Sequence, residues 1–141
     1  MKKLIISFIF VLTFLGCATK GTQPSQESGE KPDVFCNVIQ RPDPLLMGTW
    51  ECNFSRVRSD LTKLDKNYVK YRLIKYDDKY ALYFDRTWRS GRKKIREWKN
   101  WDINGQEISG PYGVRIFVAG SDVYFTIRGL DEPAKMTRIE G

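Results

Sequence analysis

Between Arg86 and Trp101 the sequence reads RTWRSGRKKIREWKNW. Arg86, Arg89, Arg92, Lys93, Lys94, Arg96 and Lys99 stand there against the single carboxylate of Glu97, with Trp88, Trp98 and Trp101 interleaved. Guanidinium and ammonium groups beside indoles can grip phosphates or carboxylates, and exposed Trp and Arg anchor protein interfaces. Much of the chain's net charge of +7 sits in this run. The candidate surface is therefore Arg89, Arg92, Lys93, Lys94, Arg96, Trp98, Lys99 and Trp101. On a hairpin, Lys94, Arg96 and Trp98 share one face, opposite Ile95, Glu97, Lys99 and Trp101. The same residues also suit a solvated edge, where positive charge blocks strand-to-strand aggregation and tryptophans cap one end of the fold.

Other chemistry is sparse. The chain has no histidine, which removes the commonest general base, the Ser-His-Asp arrangement and most zinc sites. Asp77-Asp78 is the nearest thing to a carboxylate pair, but it sits in a predicted turn, where acidic residues are commonplace. There is no Gly-rich phosphate loop. The sequence therefore predicts a protein that is not an enzyme and carries no cofactor and no metal.

The start of the chain supplies an address. Lys2 and Lys3 precede a run from Leu4 to Leu15 broken only by Ser7 and Thr13, the pattern of a secretory signal. That run rises only about 18 Å as a helix, short of the roughly 30 Å bilayer core. It ends in FLGC, Phe14 to Cys17, which resembles the lipobox of bacterial lipoproteins, with Phe14 where that family usually has Leu. The resemblance implies cleavage before Cys17, acylation of Cys17 by a diacylglycerol and a further fatty acyl chain such as palmitate, and anchoring to a membrane of the cell envelope. Ala18 stands where inner-membrane lipoproteins often have Asp, so the resemblance points to the outer membrane. That address makes nucleic acid an unexpected partner.

Between Ala18 and Val34 there is almost nothing to bury: Gly, Ser, Thr, Gln, Pro, Lys and Glu dominate, and the stretch reads as a flexible tether. The expected division is a signal at 1–16, an acylated cysteine and tether at 17–44, and a domain at 45–141. Acylation of Cys17 leaves Cys36 and Cys52 as an even pair, which an oxidising compartment would bridge. The alternative is two free thiols.

Within the domain, apolar residues alternate with a period of two. Tyr80, Leu82 and Phe84 share a face, as do Val114, Ile116 and Val118, and Val123, Phe125 and Ile127. Turn signals at Asp77-Asp78, Ser90-Gly91, Asn104-Gly105, Gly110-Pro111 and Gly120-Ser121 separate the runs. Strands are expected at 47–56, 67–76, 79–88, 93–102, 106–109, 112–118, 122–128 and 135–139. No helical period extends over three turns. The fold class is all-β, a small antiparallel up-and-down barrel of about eight strands, with a two-sheet sandwich as the alternative.

MGTWECNF puts Gly48 and Trp50 on the first of these strands, and KMTRIE puts Arg138 on the last. This resembles the lipocalin and calycin pattern, an early Gly-x-Trp and a late basic residue that packs over the indole and closes the barrel's base. Trp50, Phe54, Tyr71, Leu73, Leu82, Phe84, Ile116, Phe125 and Ile127 are the expected interior. So many large side chains in a small domain predict a filled interior. The expected function is non-catalytic: binding of an envelope protein, anionic lipid or acidic glycan through the basic hairpin. The alternative is lipocalin-like carriage of a small apolar ligand or lipid.

Overall fold

The computed structural model describes residues 32, 34–57, 64–88, 93–95 and 99–140, within a compact unit spanning Lys31–Gly141. Eleven strands run along it: β1 (Asn37–Gln40), β2 (Gly48–Val57), β3 (Leu64–Tyr76), β4 (Lys79–Trp88), β5 (Lys93–Ile95), β6 (Asp102–Asn104), β7 (Glu107–Ser109), β8 (Arg115–Ala119), β9 (Asp122–Thr126), β10 (Ala134–Lys135) and β11 (Thr137–Glu140). The fold is all-β. One sheet has the order β11-β2-β3-β4-β5 and the other β1-β6-β7-β8-β9-β10. The expected antiparallel meander holds for the other paired neighbours, whereas β1 lies parallel to β6.

Among the described residues the two sheets do not merge into one closed ladder, so the two-sheet arrangement describes them better than a single barrel. A strand nevertheless passes from one sheet to the other at each of two corners. At the first, the Val34 carbonyl accepts from the Leu82 N–H and the Cys36 N–H donates to Tyr80. The chain then crosses over, the Asn37 N–H donating to the Trp101 carbonyl before β1 joins β6. At the second, β10 pairs with β9, Met136 donates to Val123, and β11 pairs with β2.

The first corner moves a boundary. Residues 34–44, read from sequence as the end of the tether, belong to the domain: Val34 is in the core and β1 is a strand. Their composition concealed this, because all four β1 side chains are exposed and show no alternation. A second expected element is also divided. The strand predicted at 93–102 is β5 followed by β6, and Asn100 between them has φ of 65°. A left-handed residue cannot continue a strand, and asparagine adopts that conformation more readily than most.

All nine expected interior residues are buried. Aromatic rings pack against one another through the middle: the Phe84 centroid lies 5.0 Å from that of Trp101 and 6.3 Å from that of Phe125, and Phe54 lies 5.1 Å from Phe125.

Candidate functional site

Of the basic run, the described residues 86–88 and 93–95 lie on β4 and β5 of the five-stranded sheet. β5 is its last described strand and pairs with β4, Thr87 opposite Lys93, Arg86 opposite Lys94 and Asp85 opposite Ile95. Lys99 is exposed. Arg89, Arg92, Arg96 and Trp98 lie outside the described residues, as does Cys17 with the signal segment.

Trp101 requires a correction. The sequence pattern puts it in the surface patch, but it is fully buried against Phe84. The turn at Asn100 ends the basic run and directs the next residue into the core, so hairpin parity does not extend to Trp101. Arg86, the first cation of the run, is also buried, and its Nη2 donates to Asn67 Oδ1 at 3.2 Å.

The cysteine pair requires another. Cys36 and Cys52 are free thiols. Cys52 is level with Val69 and, through it, with Arg86, whereas Cys36 is tied to Tyr80. That separates them by three strand spacings, about 14 Å, and by about 20 Å along β4. A disulfide needs Cα atoms within about 7 Å. Burial pushes both thiols up to about 12, with Asp102 adding to the shift at Cys36 and Glu51 at Cys52. Neutral thiols of this kind are poor nucleophiles.

At the other end of β2, the Gly-x-Trp residues and Arg138 do come together. Trp50 and Arg138 are cross-strand partners, and the guanidinium carbon lies 5.5 Å from the indole centroid. Trp50 Nε1 and Arg138 Nη2 both donate to the Met47 carbonyl, at 3.2 and 3.0 Å. Gly48 opens the strand with φ of 93°, a conformation that favours glycine.

Sequence reasoning missed a third assembly. Trp50, Cys52 and Phe54 point inward along β2, and Arg56 continues their parity past the core to the rim. Its Nη1 donates to the Arg128 carbonyl at 3.3 Å, in the turn after β9. Arg86, buried on β4, holds its guanidinium carbon 5.8 Å from the Phe54 ring centroid. Burial lowers the Arg86 pKa, and the nearby charge of Arg56 lowers it further. A cation at an inward-parity position at the end of a strand was the available signal. Its partners, however, come from strands far apart in sequence.

No protein-family model matches the chain, and neither the curated proteins nor the solved structures provide a match. The functional reading therefore rests on the residues themselves.

Proposed function

We propose that the chain is an envelope lipoprotein, held to the membrane by acylated Cys17, whose β domain binds a partner protein or an anionic envelope component without catalysis. The observation that carries this reading is the position of the basic run. β5 places Lys93 and Lys94 on the outermost described strand of the five-stranded sheet, and Lys99 beyond it is exposed. Edge strands are where a fold presents groups to other molecules. The packing of Trp101, Tyr71 and Phe125 in the interior favours the exterior as the working surface over carriage of an apolar ligand.

The test uses the full chain with Cys17→Ser, so that acylation cannot itself hold the protein on a membrane. Its association with phosphatidylglycerol-containing vesicles is measured by co-sedimentation, with and without Arg92→Glu plus Lys94→Glu. The charge reversals are expected to weaken association at least about tenfold, since each sets a like charge against the anionic surface. Unchanged association would remove the hairpin from the reading.

A further inference from the structure

We propose that the groove between the end of β1 and the β3–β4 hairpin is a binding site for a sugar that carries a carboxylate, the uronic-acid unit of an acidic glycan. This deepens the reading of the domain as a binder of anionic envelope components and rests on it for biological context only. The groove lies away from the basic run. Tyr80 lines it near the start of β4, whereas Thr87, about 23 Å further along that strand, pairs with Lys93.

The groove has a volume of about 620 Å³, within the ordinary range for small-ligand sites. Gln40 and Arg41 line it from the end of β1, Lys75 and Tyr80 from the β3–β4 hairpin, and Gly105 and Gln106 from the turn between β6 and β7. Lys75 and Tyr80 are directly opposed in the hairpin register, so their side chains share one face. The walls are joined before any ligand arrives. The Asp43 N–H donates to the Gly105 carbonyl at 2.9 Å, and the Gly105 N–H to the Gln40 carbonyl at 3.2 Å. Gly105, with φ of 59°, also makes room for the Gln40 amide, since a Cβ there would lie 3.0 Å from Gln40 Oε1. Such prior ordering lowers the entropy lost on binding.

The lining specifies the ligand by the groups it leaves unmatched. Asp43 is its one carboxylate, and both oxygens are committed, Oδ1 to the Leu45 N–H at 2.9 Å and Oδ2 to Gln106 Nε2 at 3.3 Å. Arg41 and Lys75 are exposed, and neither is in an ion pair among the described residues. The groove therefore favours an anion. A carboxylate only accepts, so the Gln106 amide turns Nε2 to Asp43 and keeps Oε1 as an acceptor. The Gln40 amide adds donors and a further acceptor. Groups of this kind match hydroxyls, which both donate and accept. Half-buried Tyr80 and Met47 supply an apolar surface. A hexose ring bearing hydroxyls, a face of C–H groups and one carboxylate meets all three demands.

The experiment is calorimetric titration of the full chain carrying Cys17→Ser with an oligogalacturonate at fixed ionic strength, beside its neutral methyl ester and a polyglutamate of equal charge. The oligogalacturonate is expected to bind at least about tenfold more tightly than either comparison compound. Arg41→Gln plus Lys75→Gln, both at exposed positions, is expected to weaken that binding at least about tenfold, through lost charge-assisted hydrogen bonds. The hairpin variant Arg92→Glu plus Lys94→Glu is expected to keep affinity within about twofold. No heat with the oligogalacturonate, equal affinity for the ester or for polyglutamate, or an unaffected Arg41/Lys75 variant overturns the site. Binding lost in the hairpin variant and kept in the groove variant also overturns it and assigns the glycan to the basic run, so the two surfaces fail separately.

Discussion

Gly110→Ala sets two effects of opposite sign against each other. Gly110 has φ of −144° and ψ of −173°, extended backbone that alanine adopts freely. With no backbone strain, removing a glycine from the unfolded chain should stabilise by about 0.4–1 kcal/mol. The added methyl, however, would sit inside the Trp101 ring. Its nearest atoms, Cζ3, Cε3 and Cη2, would all be closer than 3.0 Å, where real Cβ contacts essentially never occur. The ring cannot move away cheaply, since it is fully buried and packed 5.0 Å from Phe84. Overpacking of this kind costs about 1–3 kcal/mol, so the clash wins. The expected net loss is up to about 2.5 kcal/mol, read as a lower urea midpoint with an unchanged m-value. Trp101→Phe removes the outer ring atoms that the methyl would strike. In that background Gly110→Ala should stabilise by up to about 1 kcal/mol, a coupling of about 1 kcal/mol or more in the double-mutant cycle. Additive effects, or a stabilising Gly110→Ala in the parent chain, would refute the packing described.

Other perturbations test the remaining parts of the fold. Arg138→Met removes both the indole contact and a hydrogen bond to the Met47 carbonyl, and should lower stability by about 1–2 kcal/mol in denaturant unfolding. Val34→Ala should cost about 1–2 kcal/mol by the apolar area it uncovers, whereas a residue of a free tether would change stability by less than about 0.5 kcal/mol. Burial raises Cys36 and Cys52 from 9.0 to about 12, so above pH 9 the unfolded chain loses thiol protons that the folded chain keeps. Stability should therefore be intact below pH 9 and fall as pH rises through about 12. Cys36→Ala plus Cys52→Ala should flatten that decline in denaturation midpoints measured either side of pH 9. Glu107→Gln breaks an exposed bidentate pair with Arg115 and should cost less than about 1 kcal/mol, diminishing in high salt.

What was legible in the sequence is what local chemistry determines. The β3–β4 hairpin could be read from alternation around Asp77-Asp78, and Asp77 adopts the positive φ, 51°, that such a turn requires. The β8–β9 hairpin followed from Gly120, with φ of 64°, between two alternating runs. Interior residues followed from parity alone. What was not legible depends on distant pairings. β1 has no buried side chain, so nothing in its own residues signals that it pairs with β6 across much of the chain. Parity in the sequence brought Cys36 and Cys52 together as a chemical count but could not supply their separation across three strands. Trp101 was misplaced because one left-handed residue, Asn100, changes the direction of everything after it. The hydrogen bond from Arg56 on β2 to the Arg128 carbonyl after β9 joins residues far apart in sequence, which only the folded topology defines.

The most direct measurement is the salt dependence of association between the Cys17→Ser chain and vesicles, comparing phosphatidylglycerol-containing with purely phosphatidylcholine membranes. A surface of fixed cations meeting fixed anions should bind only the anionic vesicles, with affinity falling steeply as ionic strength shortens the Debye length below about 10 Å. Equal association with both membranes, indifferent to salt, would contradict an electrostatic working surface and return the interior to consideration.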